Sequence, residues 1–114
     1  MQIQVHTDNH ITGREDVVRL VHASVEGTIT RFSDRITRVE AHLSDTNGHK
    51  SKGDDFRCVL EARLAGLQPI VVSHQGPTIE LAVAEAAEKL ERSIESKLGR
   101  IHDRVPAPDP DQEP

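Results

Sequence analysis

Between Ile79 and Ile101 the apolar residues recur every three or four positions: Ile79, Val83, Ala86/Ala87, Leu90, Ile94, Leu98 and Ile101. That spacing draws a single stripe along a helix. The helical stretch is predicted across Gly76–Arg104, with Thr78 as its N-cap and Glu80 where the positive end of the helix dipole favours a carboxylate. Roughly 26 residues at about 1.5 Å each span about 39 Å, so this helix needs a broad apolar surface to lie on. A second helical stripe, Val17/Val18, Val21, Val25, Ile29 and Phe32, follows Thr12-Gly13-Arg14-Glu15, which matches a capping box. Gly27 costs that helix about 1 kcal/mol relative to Ala.

Elsewhere the period is two. Ile3 and Val5 alternate with Gln2, Gln4 and His6, and Val39, Ala41 and Leu43 alternate with Arg38, Glu40 and His42. Phe56, Cys58, Leu60, Ala62 and Leu64 form the clearest inward set, and Ile70–His74 makes a short fourth strand. Asp45–Asp55, dense in Gly, Asn, Asp and Ser, reads as a long hairpin loop. The order strand, helix, three strands, helix predicts an α+β domain: β-α-β-β-β-α, a four-stranded mixed sheet with two helices packed on one face. The first two strands pair in parallel in this reading, and the later ones form an antiparallel meander. Residues 1–104 make one domain, and 105–114, VPAPDPDQEP, a disordered acidic, Pro-rich tail.

Composition narrows the class. With 114 residues, no Trp or Tyr and two Phe, one core must be built from aliphatic side chains. The start MQIQVHTDNH has neither a basic segment nor an apolar run, so no signal peptide is expected, and no membrane span is expected either. A single cysteine, Cys58, cannot form an internal disulfide; in its inward register it reads as a buried, inert thiol. Cytoplasmic localisation is the expectation. The net charge of −5 includes three acids of the tail, Asp109, Asp111 and Glu113, so the remainder is close to neutral. Only a local basic patch can then meet phosphate.

The element order, together with Glu88–Lys97 (EKLERSIESK), resembles the ribosome hibernation-promoting factor family, also called the ribosome-associated inhibitor or sigma-54 modulation protein family. Met1–Val5 with Ile11-Thr12 is similar to its opening strand and helix start. Phe32-Ser33-Asp34-Arg35-Ile36 is similar to its Phe-Asp-Arg-Ile junction with one residue inserted. Gly76 through Lys97, with Ala82-Val83 and Lys89-Leu90-Glu91-Arg92, is similar to its last turn and basic helix. The resemblance implies a fold like the double-stranded RNA-binding domain and a stress or hibernation factor that binds ribosomal RNA on the small subunit and inhibits translation. Thr78, Glu80 and Ala84 depart from the Asp, Tyr and Asp of the family turn, and the first helix lacks lysine.

The candidate RNA-binding residues are Arg31, Arg35, Arg38, Lys89, Arg92, Lys97, Arg100 and Arg104. On the implied frame, such cations track phosphates and 2′-hydroxyls by shape rather than by base sequence. The competing reading is a solvated helix face with i, i+4 pairs Glu85–Lys89 and Glu88–Arg92, each worth about 0.2–0.5 kcal/mol. Of the seven histidines, His42 and His74 are placed to face each other across strands, with His6 beside His42 on the open sheet face. No tight ligand spacing such as HxH or CxxC exists, so neither a metal nor another cofactor is expected. Without a nucleophile elbow, phosphate loop or catalytic carboxylate pair, the chain is not expected to be an enzyme or to take a small-molecule substrate. The expected partner is the small ribosomal subunit, the expected state a monomer or weak homodimer. The alternative is a fold of this kind that has lost ribosome binding and serves as a small regulatory protein-interaction module.

Overall fold

The computed structural model describes residues 1–8, 11, 13–46 and 56–104, the last four by backbone alone. Within them run β1 (Gln2–Thr7), α1 (Arg14–Ile29), a 3₁₀ turn (Thr30–Phe32), β2 (Ile36–Asp45), β3 (Phe56–Leu64), β4 (Ile70–Gly76) and α2 (Ile79–Arg104). Among the described residues one four-stranded sheet forms, in the order β1-β2-β3-β4. β1 runs parallel to β2, with Ile3 opposite Val39 and His6 opposite His42. β3 and β4 continue antiparallel, Leu60 lying between Ala41 and Val72. This is the β-α-β-β-β-α order and mixed sheet predicted from the alternating and helical periods. The loop expected over 45–55 lies mostly outside the described residues, as does the tail 105–114; Asp45 itself closes β2.

Because side chains alternate across a strand, Ile3, Val5, Val39, Ala41, Leu43, Cys58, Leu60 and Ala62 all point to one face and are buried. Both helices lie on that face. α1 contributes Val17, Val21, Val25 and Ile29, and α2 contributes Ala82, Val83, Ala86, Ala87, Leu90 and Ile94. The alanines let α2 sit close over β3 and β4 while it also packs along α1. Leu60, Leu90, Ile94 and Ile29 are fully enclosed, and each such side chain contributes about 1.5–3 kcal/mol of transfer free energy. Phe32 is buried with them, and Phe56 packs at the margin.

The helix ends show where local signals held and where they did not. Thr78 accepts the Leu81 N–H at 3.0 Å through Oγ1, the predicted N-cap of α2. Just before it, a Cβ on Gly76 would come within 3.2 Å of the Ala82 amide nitrogen, so any larger residue there would press on the first turn of the helix. The Thr12–Glu15 capping box is a correction. Thr12 lies outside the described residues, and the N-cap is Gly13, at φ 69°, with no side-chain cap bond. Glycine adopts that left-handed conformation without steric cost. Glu15 and Asp16 in the first turn still suit the dipole. α1 also stops at Ile29 rather than Phe32: the Thr30 hydroxyl bonds back to the Glu26 carbonyl, and the chain tightens into the 3₁₀ turn.

Candidate nucleic-acid interface

α2 carries acids and bases, and its packing sorts them. Buried Ala86, Ala87, Leu90 and Ile94 define the stripe facing the sheet. On the flank toward α1, Glu91 and Glu95 each approach Arg31 Nη2 at 3.4 Å. On the other flank, Lys89, Arg92, Lys97 and Arg100 stand above the free edge of β4. They recur at three- to five-residue steps, so about one cation falls on each 5.4 Å turn. The sequence showed an acid-to-base gradient along the axis of this helix. The fold adds a separation across its second half, whereas Glu85, nearer its start, lies on the β4 flank beside His74.

These four cations line a groove of about 550 Å³ between α2 and β4, with Pro69, Ile70 and Val72 on the strand side and Ser93 and Ser96 on the helix side. Lys89 Nζ donates to the Ser73 carbonyl at 2.9 Å, which satisfies an edge-strand acceptor and anchors the ammonium at one end of the groove. Arg100 Nη1 donates to Ser96 Oγ at 2.8 Å, turning the guanidinium along the helix. Arg92 and Lys97 make no ion pair among the described residues. Neither expected i, i+4 pair forms: Glu85 is held by His74 of β4, and Arg92 has no contact with Glu88. Neither intrahelical pair therefore contributes on this flank.

The other candidates do not join the groove. Arg31 lies 4.3 Å over the Phe32 ring and is committed to Glu91 and Glu95. Arg35 is exposed in the turn before β2; its backbone N–H closes that turn onto the Phe32 carbonyl, and its carbonyl accepts the Ala65 N–H just after β3. Arg38 stands on the open face of the sheet, where Nη2 pairs with Glu40 at 3.0 Å and Nε is enclosed without a hydrogen-bond partner. Arg104 continues the backbone of α2, but its side chain lies outside the described residues. The sequence reading missed Ser93, Ser96, Pro69, Ile70 and Val72 as lining residues. A helical projection of α2 would have placed both serines on the cationic flank, whereas the β4 residues depend on long-range packing.

The histidine reading is corrected in one respect. His42 and His74 do not face each other, because β3 separates their strands and His74 points to the helix side, opposite Cys58. His6 and His42 do meet on the open face, with stacked rings 4.7 Å apart. Cys58 is fully buried, and desolvation pushes its thiol up to about 12, well away from any nucleophilic role near neutral pH.

A family model described as "Sigma 54 modulation protein / S30EA ribosomal protein" matches residues 3–102. Two solved structures share the fold. A ribosomal subunit interface protein from Coxiella burnetii superposes with a TM-score of 0.70 at 14% identity, over 87% of this chain and 99% of that one. The N-terminal domain of Protein Y from Thermus thermophilus superposes with a TM-score of 0.59 at 19% identity, over 85% and 99%. No curated protein matches the chain.

Proposed function

The chain belongs to the sigma 54 modulation protein / S30EA ribosomal protein family, and on that premise we propose that it is a ribosome-associated stress factor whose α2–β4 groove holds ribosomal RNA of the small subunit and thereby inhibits translation. The observation that carries this reading is the one-sided cationic flank of α2, with Lys89, Arg92, Lys97 and Arg100 around a single groove. In a chain of net charge −5, general electrostatic attraction to RNA is weak. Contact must come from local concentration of charge. Two guanidiniums and two ammoniums suit phosphate oxygens, the serine hydroxyls suit phosphates or 2′-hydroxyls, and Ile70 and Val72 offer an apolar floor for sugar edges. None of these groups reads a base edge in a fixed donor–acceptor pattern, so recognition is by backbone shape. Inhibition follows by occlusion of the bound RNA surface and involves no catalytic step. The proposal places the protein with the ribosomes of the cytoplasm. No helix among the described residues is long and apolar enough to cross a membrane.

Co-sedimentation of the full chain with small ribosomal subunits at about 0.1 M and about 0.5 M salt tests this directly, because phosphate contacts release counterions and weaken with salt. Binding at the lower salt that fades at the higher is the expected result. Absence of binding at both, from a folded sample, refutes the proposal and leaves the protein-interaction module as the reading.

A further inference from the structure

We propose that His6, Glu40 and His42 form a binding site for a borderline divalent transition metal, with zinc as the natural probe, on the sheet face away from both helices. Parallel pairing of β1 and β2 sets His6 directly opposite His42, and Glu40 stands two residues before His42 on the same face. The imidazole rings are stacked 4.7 Å apart and only 13° from parallel. Both turn Nε2 toward one carboxylate oxygen: Glu40 Oε1 lies 3.9 Å from His6 Nε2 and 3.6 Å from His42 Nε2. One donor atom from each of the three residues lies within 4.8 Å of the others.

Those separations are close to what a metal demands. Zinc binds histidine nitrogen at about 2.0–2.1 Å and carboxylate oxygen at similar length, so ligand atoms around a tetrahedral ion sit about 3.3 Å apart. Because an ion lies in the plane of each imidazole along its nitrogen lone pair, the stacked rings must turn out of parallel to converge on it; rotation about the side-chain bonds of these half-exposed histidines does this without moving the strands. Two imidazoles and one carboxylate suit zinc, copper or nickel, whereas magnesium and calcium call for oxygen ligands. The second Glu40 oxygen is occupied by Arg38 Nη2 at 3.0 Å, which orients the carboxylate and leaves Oε1 for the ion.

The surroundings are permissive. The side chains of His6 and His42 are about half exposed and that of Glu40 is 19% exposed, so solvent reaches the site and a fourth position is open to water or a partner's ligand. On the flanking strands, Gln4 lies beside Glu40 and Val59 beside His42. Next to Glu40 on β3, Glu61 pairs with Arg63 at 3.3 Å, and Arg38 pairs with Glu40 itself; Arg57, opposite Ser44, adds a further cation on this face. No metal is expected from the sequence because no tight ligand spacing is present, although His6 and His42 are placed together on the open face; the parallel register adds Glu40 to them. The cationic groove lies at the β4 edge, across the sheet from β1, so metal binding and RNA binding are separable.

The experiment is a titration of the metal-free full chain with cobalt(II), followed by visible absorption, and with zinc, followed by calorimetry and by NMR of the histidine imidazoles. One ion per chain is expected, displaced from cobalt by zinc, with the His6 and His42 resonances shifting first. Losing an outer-shell partner alone weakens metal sites about 10–100-fold, so His6→Gln or His42→Gln should weaken zinc at least that much. His74→Gln, on the helix side, should leave it unchanged. Saturable binding that persists at full strength in both His6→Gln and His42→Gln would overturn the proposal. So would the absence of any shift at His6 and His42 in the unsubstituted chain, a readout that does not depend on a variant folding.

Discussion

Replacing Arg92, Lys97 and Arg100 together with Gln removes three cations from the groove and leaves Lys89 bound to the Ser73 carbonyl. None of the three belongs to the buried stripe that holds α2 on the sheet, so the thermal melt should move little. If each neutralises one phosphate, the slope of log K against log salt should fall by about 2–3, at about 0.7–0.9 per contact. Between about 50 and 200 mM salt the unsubstituted chain should then lose about 20–40-fold more affinity for small subunits than the variant does. Filter binding across four salt concentrations gives both slopes. Arg31→Gln and Arg38→Gln serve as internal controls: Arg31 is engaged by Glu91 and Glu95, and Arg38 lies on the opposite sheet face. An unchanged slope in the triple variant, or an equal loss in either control, would refute the assignment of RNA contact to this flank.

Gly27→Ala should stabilise the protein by up to about 1 kcal/mol, because Gly27 lies inside α1 with nothing within 4 Å of an added Cβ; a rise in melting temperature of about 4–8 °C is the readout. Thr78→Ala removes the acceptor for the Leu81 N–H and should cost about 1 kcal/mol by denaturant titration, while Thr78→Ser should restore most of it. Cys58, with its thiol pushed up to about 12 from 9.0 by burial, should resist alkylation at pH 9 in the native state and react once denaturant is added. The linkage has a definite sign: a raised folded-state value contributes stability that is full below about 9 and is lost as pH rises toward 12, so Cys58→Ala should show a flatter alkaline stability profile.

Local periodicity was enough to find the four strands and both α-helices of the described residues, but not the 3₁₀ turn that ends α1. Alternation at Ile3/Val5, Val39/Ala41/Leu43 and Phe56–Leu64 marks inward faces because successive strand side chains point opposite ways whatever lies beyond them. The stripe from Ile79 to Leu98 and the Thr78 cap are equally local, and both took the predicted form. The family, too, was legible in the order of elements and in Glu88–Lys97, and the match over residues 3–102 bears that out. The α1 cap was not, since Thr12 matched a local motif while the backbone at Gly13 took a left-handed conformation instead.

Side-chain partnerships followed a different logic. Glu85 and Lys89 have favourable helical spacing, yet Glu85 meets His74 and Lys89 meets the Ser73 carbonyl, because α2 had to bury its stripe beside β4 and brought those partners within reach. Arg31 reaches Glu91 across 60 positions for the same reason, on the other flank. Strand adjacency likewise set His6 beside His42 and kept His74 from both. Faces are settled within a few residues by backbone geometry. Neighbours are settled only when separate apolar faces share one core, and with them come the cationic groove and the histidine–glutamate cluster.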